Sequence, residues 1–253
     1  MTKKHEFKEA MELSYVFMAM AVVITAMFIF VEMKESSLFS LFFKALASFS
    51  FILLFSIVIS EKTVQTNSPY YIGEDFVSFL GTGFLIFMGL VAGLIGDLLL
   101  GLRPLRPSEE NDTIITSGIF SFAIGHIFYY FALIRIWQFS VYPLIIGVVG
   151  AAIIYFGAKI LNMKMRKLLI PSLAYAFLLF AIFGQALFGA INLDFSVTSI
   201  LLFVGATLFL VSDLILSQIY FKEGTKRVMV VYNYATYYGA QILIAFSILF
   251  LTL

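Results

Sequence analysis

Phe87–Gly101, FMGLVAGLIGDLLLG, is the stretch on which the fold turns. Apolar and small residues surround a single carboxylate, Asp97. A helix on a soluble surface carries charge along one face, whereas a helix apolar all round needs a packed core or lipid about it. A bilayer core of about 30 Å takes about 20 such residues per crossing. Working outward, apolar runs recur at 13–31, 38–60, 76–102, 114–136, 139–157, 168–190, 197–220 and 229–252. The expected fold is an all-α membrane protein, a bundle of about eight transmembrane helices forming a single polytopic domain over 1–253.

Composition agrees. The 253 residues are 62% apolar and only 12% charged, too little charge to cover a soluble surface. Eight crossings leave no room for a separate soluble domain. A net charge of +1 gives no reason to expect nucleic acid as a partner. With no Cys and two His, neither a disulfide, a cysteine zinc site nor a three-histidine zinc site can form. The apolar run after the mixed-charge start is too long for a signal peptide and has no small-residue cleavage site, so it reads as the first span. Pro69, Pro104, Pro107, Pro143 and Pro171 all fall in loops or near helix starts. Transporters with broken helices interrupt their spans near the midplane, and this pattern disfavours them.

Orientation follows from Lys and Arg. One side receives Lys3, Lys4, Lys8, Lys62 and Arg135; the other receives Lys34, Arg103, Arg106, Lys159, Lys164, Arg166, Lys167, Lys222, Lys226 and Arg227. The positive-inside rule puts the second set in the cytoplasm and both termini outside. Tyr70, Tyr71, Trp137 and Tyr142 are then expected at the outer interface. The compact chain with short tails suggests a bacterial inner membrane.

Shifting the sequence by 116 residues lays Phe87–Gly101 on Phe203–Ser217, FVGATLFLVSDLILS, with six of fifteen positions identical, including Asp97 on Asp213. A parallel four-plus-four duplication would place the two aspartates at equal depth across a pseudo-twofold axis; chance likeness of two apolar helices is the alternative.

Ionisable groups inside spans cost several kcal/mol unless paired or hydrated, which makes each a functional candidate. Lys44, Asp97 and Asp213 lie about 8–11 Å from the cytoplasmic helix ends, and His126, Tyr238 and Gln241 about 14–18 Å. One cavity open to the inner half of the membrane would explain a shared layer drawn from five spans. Two carboxyls brought together there can share one proton, supplying an acid and a base; the alternative is a pair of interhelical polar contacts. His126 is open to three readings: proton carrier, aspartate orienter or buried structural group. Lys44 either snorkels to the interface or pairs with an aspartate or a lipid phosphate. Tyr129, Tyr130, Tyr237, Tyr238 and Gln241 offer hydrogen bonds in an apolar setting, and Ser212 is a candidate local cap of Asp213.

These pieces, in this order, resemble the YhhN-like family of multispan membrane proteins, the lysoplasmalogenases. The resemblance rests on Phe43-Lys44-Ala45, on Gly96-Asp97 in GLIGDLLL and on Phe122 to His126 with Tyr129 in FAIGHIFY. It continues through Gly205 to Asp213 in GATLFLVSD and Tyr238 to Gln241 in YGAQILIA. Ala45 stands where the pattern has Pro. The resemblance implies cleavage of the vinyl ether bond of a lysoplasmalogen, giving a fatty aldehyde and glycerophosphoethanolamine or glycerophosphocholine, without metal or other cofactor. On that reading Asp97 and Asp213 divide the acid and stabilising-base roles and His126 tunes or relays the proton. Lys44, Tyr129, Ser212, Tyr238 and Gln241 hold the headgroup end of a lysophospholipid drawn from the membrane. Two rivals use the same residues differently: a proton-coupled transporter or lipid carrier with an Asp/His relay, and an interaction protein whose buried polar groups are incidental.

Overall fold

The structure, a computed structural model, describes residues 2–34, 38–66, 74–192 and 195–251. Tyr70, Tyr71 and Pro69 lie outside the described residues. The rest is almost wholly helical: α1 (Thr2–Lys34), α2 (Leu38–Thr66), α3 (Glu74–Gly101), α4 (Asn111–Trp137), α5 (Tyr142–Ile160), α6 (Leu169–Asn192), α7 (Val197–Phe221) and α8 (Val228–Ser247). No strand occurs among the described residues.

Seven of these helices, α1 to α7, are long and apolar enough to cross a membrane. The chain is a multi-pass membrane protein. The eighth is the most instructive. Asn233, Tyr237, Tyr238 and Gln241 interrupt the apolar run of α8, and all four are buried. Their polarity faces inward, between α1, α2 and α7, which pack around it. The outward faces stay apolar, as Phe30, Phe42, Phe84, Phe131 and Phe156 illustrate with more than half their surface exposed.

Helix ends follow local chemistry. α5 begins three residues later than the apolar run suggests, because Gln138 takes a left-handed φ of 68° after Trp137 and Pro143 then opens the helix. Ser196 caps α7, its hydroxyl accepting from the Ser199 amide at 3.3 Å. Trp137 departs from expectation. It is 7% exposed, with its ring lodged over Gly189 of α6, so it is a packing residue rather than an interfacial anchor. Tyr142 is two-thirds exposed, as an interface residue would be.

The packing pattern nearly repeats after four helices. α1 pairs with α2 as α5 does with α6, α3 with α4 as α7 does with α8, α2 with α3 as α6 does with α7, and α8 with α2 as α4 does with α6. One pairing breaks the pattern. α1 closes against α8, but α5 makes no comparable contact with α4 among the described residues. An apolar cavity opens on that side.

Apolar burial adds little to helix association in lipid, so close packing and polar contacts must hold the bundle. α3 shows how. Gly89, Gly93 and Gly96 form a stripe along one face, and a Cβ at these positions would meet the Tyr129 ring, Gln241 and the Phe122 ring respectively. The missing side chains let α4 and α8 bring large polar residues up to the α3 backbone.

Candidate functional site

Asp97 sits on α3 with 3% of its surface exposed. Its Oδ2 accepts two hydroxyls, from Ser48 of α2 at 2.6 Å and from Tyr237 of α8 at 2.8 Å. Ser48, whose proton goes to Asp97, accepts in turn from Tyr238 at 3.0 Å. Behind Tyr237 a second chain forms: Gln241 Nε2 donates to the Tyr237 hydroxyl at 3.2 Å, and Tyr129 donates to Gln241 Oε1 at 2.7 Å. The donors Ser48, Tyr237, Gln241 and Tyr129 all point towards Asp97, while the Tyr238 hydroxyl also lies 3.4 Å from the Lys44 carbonyl. Such chains polarise one another and rigidify the carboxylate they end on.

Asp213, on α7, is less enclosed. Its Oδ2 accepts the hydroxyl of Tyr175 from α6. It lines two cavities at once. One also contains Lys44, Asp97, Tyr234 and Tyr237. The other is apolar and is walled by Ile115, Ile119, Ile154, Leu179 and Phe180, between α4, α5, α6 and α7. A third cavity, the most polar and open of the three, contains Glu32, Arg103, Arg106, Ser108 and Asn111 at the end of the bundle. Leu100, Leu216 and Tyr220 belong to all three walls. The three spaces are therefore neighbours. The two carboxylates stand where the polar and apolar ones meet.

Lys44 does not snorkel. It is 6% exposed, its stem packs on Gly101, and Nζ lies 5.2 Å from the centre of the Tyr234 ring. Asp97 and Glu32 are its electrostatic neighbours, but no carboxylate lies within 4.0 Å of Nζ among the described residues.

The structure separates the other sequence candidates. His126 is 2% exposed and donates from Nδ1 to the Phe122 carbonyl at 2.7 Å, one helical turn back. Its ring packs edge-on against Tyr175 and Phe209, with centroids 5.1 and 4.6 Å away, and it bonds to neither carboxylate. Tyr175 therefore stands between a ring contact with His126 and its hydrogen bond to Asp213. Tyr129 and Gln241 stand behind Asp97 and line neither the carboxylate cavity nor the polar one. They hold Tyr237 rather than a headgroup. Tyr238 is fully buried and hydrogen-bonds to Ser48, the hydroxyl that donates to Asp97. Ser212 lines the cavity, but its main partner is Asn233, whose side-chain amide donates to the Ser212 hydroxyl and carbonyl, each at 2.9 Å, clamping α7 to α8.

Three contributors went unread in the sequence. Ser48 had a signal, since it follows Lys44 by one helical turn and so shares its face. Tyr175 and Glu32 had weaker ones: a lone tyrosine in the body of α6, and a carboxylate just past the first apolar run that binds Ser40 and Tyr234.

The glycine stripe makes a direct test. At Gly93 an added Cβ would lie 2.5 Å from Gln241 Nε2 and 3.3 Å from the Tyr237 hydroxyl. Gly93→Ala should cost about 1–3 kcal/mol through overpacking and displace the Asp97 donors. A lowered Tm together with lowered activity is the expected result. Gly157→Ala, where nothing lies within 4 Å, is the neutral control.

A family model described as the YhhN family matches residues 41–248, which contain both carboxylates, Lys44, His126 and the whole of α3 to α8. No curated protein and no solved structure matches the chain.

Proposed function

The chain belongs to the YhhN family, and from that premise we propose that it is an intramembrane hydrolase that cleaves the vinyl ether bond of lysoplasmalogens. One observation carries the reading: two carboxylates in a shared cavity, at the junction of an apolar space and a polar one. A lysolipid has this layout, with a single hydrocarbon tail, a reactive bond at the junction and a charged headgroup.

The tail enters from the bilayer through the gap between α4 and α5 and lies in the apolar cavity. The headgroup lies in the polar cavity beside Arg103 and Arg106, with Lys44 as a point-charge partner for its phosphate. The vinyl ether carbons then meet Asp213. Asp213 is the acid, because it borders the tail space and takes one hydroxyl donor. Asp97 is the anion, because two hydroxyls donate to one of its oxygens and Lys44 is close.

Asp213 gives its proton to the carbon of the double bond that is remote from oxygen. The other carbon and the ether oxygen share the resulting positive charge, which Asp97 stabilises. Water adds to that carbon and passes a proton to the carboxylates. The hemiacetal collapses, the carbon–oxygen bond to glycerol breaks, and an aldehyde and a glycerophospho-alcohol leave. One water is consumed and the carboxylates end as they began. The division of labour parallels glycoside hydrolysis, by analogy only. His126 and Tyr175 hold Asp213 in place, as Tyr237, Ser48 and the groups behind them hold Asp97.

Detergent-purified protein incubated with a lysoplasmalogen should release fatty aldehyde and glycerophospho-base in equal amounts. Folded protein that binds the lipid and releases no aldehyde would end the proposal; flux across sealed vesicles without product would favour the carrier.

We place the polar cavity at the cytoplasmic face of the plasma membrane, from the excess of Lys and Arg at that end. The chain has no cysteine, so single-cysteine variants report cleanly. Ser108→Cys, beside the polar cavity, should react with a membrane-impermeant maleimide only after the cells are opened. Gln138→Cys, at the other end, should react in intact cells; the opposite pattern would invert the topology.

A further inference from the structure

Lys44 is an enclosed amine inside the proposed reaction chamber. It lines one narrow cavity with Asp97 and Asp213, and among the described residues no carboxylate lies within 4.0 Å of it. On the hydrolase reading, from which the ligand class comes, the two products leave in different directions. The glycerophospho-alcohol departs through the polar cavity and takes the phosphate away from Lys44. The aldehyde keeps its tail in the apolar cavity. Its carbonyl carbon therefore remains beside the carboxylates while the lysine has lost its anionic partner. Lysine is the side chain that condenses with carbonyls, and removal from water in an apolar pocket is what activates it.

We propose that Lys44 is a covalent capture site for long-chain aldehydes. The unprotonated Nζ adds to the carbonyl carbon, a carbon–nitrogen bond forms, and the carbonyl π pair moves to oxygen, which takes a proton. The carbinolamine then loses its hydroxyl as water, with one carboxyl protonating the departing oxygen. The remaining nitrogen proton passes to the other carboxylate. An imine joins the chain to Lys44, one water is released, and no oxidant or reductant is needed. Water returning to the cavity reverses the step. The captured aldehyde is held away from the amines of other proteins and lipids until it is discharged.

The test uses synthetic hexadecanal with the purified full-length wild-type chain, followed by sodium borohydride and peptide mapping by mass spectrometry. Expected is a hexadecyl secondary amine on Lys44 that appears only after reduction, at an occupancy about tenfold above that of a solvated amine. The exposed Lys159, Lys167 and Lys222 serve as those references. Adducts confined to the exposed lysines, or none at all, overturn the proposal. Because the aldehyde is supplied, the result does not depend on turnover. Adduct on Lys44 without lysoplasmalogen cleavage keeps this site and removes the hydrolase reading. Cleavage with an unmodified Lys44 does the reverse.

Discussion

Asp213→Asn should lower aldehyde release by about 10²- to 10⁴-fold, the range that positioned general acids supply, while the protein folds and binds lysolipid as before. The asparagine keeps the size of the side chain and can still accept the Tyr175 hydroxyl, so packing between α6 and α7 survives. What it lacks is an acidic proton to place on carbon. Binding should therefore hold while turnover falls, the signature of an interaction made only in the transition state. Tyr175→Phe is the graded companion. It removes the one donor on Asp213 among the described residues and should reduce turnover less than the loss of the carboxyl itself. If Asp213→Asn is fully active, the acid lies elsewhere.

Asp97→Asn should lower turnover on a similar scale but with a cost to folding as well. Ser48 and Tyr237 both donate to Asp97 Oδ2, and each has other links behind it. An amide can accept at its oxygen, yet it brings two donors into a place already filled with donors. Leaving buried hydroxyls without acceptors costs about 1–3 kcal/mol each, so a fall in Tm is expected alongside the loss of activity. Asp97→Leu, which offers no acceptor at all, should be less stable still. The comparison separates the two aspartates. Asp213 variants should lose rate with little change in Tm, whereas Asp97 variants lose both.

The membrane architecture was legible because it rests on a strong, local signal: apolar runs of about 20 residues are hard to explain in any other solvent. α8 was legible as an apolar run too, although its buried Asn233, Tyr237, Tyr238 and Gln241 leave it outside the seven helices apolar enough to cross a membrane. A carboxylate inside such a run is equally conspicuous, which is why Asp97 and Asp213 stood out. Depth along a helix could be counted. Direction around the helix could not. Tyr129 and Gln241 share a layer with the carboxylates but point behind Asp97, towards the glycine stripe of α3, rather than into the cavity. His126 is at similar depth but turned to the Phe122 carbonyl. Trp137 was assigned by the interfacial habit of its residue type, and the glycine across from it on α6 was the overlooked cue. Ser48 and Tyr175 went unread because hydroxyls are common in membrane helices and gain meaning only from the partner that the tertiary fold brings to them.

Protonation of carbon is the step on which the proposed chemistry depends, and heavy water reads it directly. Wild-type protein should be given a lysoplasmalogen in D₂O and the aldehyde reduced with borohydride as it forms. Mass spectrometry should then find one deuterium on the carbon adjacent to the former carbonyl, and the same product at a far lower rate from Asp213→Asn. Aldehyde released without deuterium at that carbon, or no aldehyde from folded wild-type protein, would contradict acid-initiated vinyl ether hydrolysis at this site.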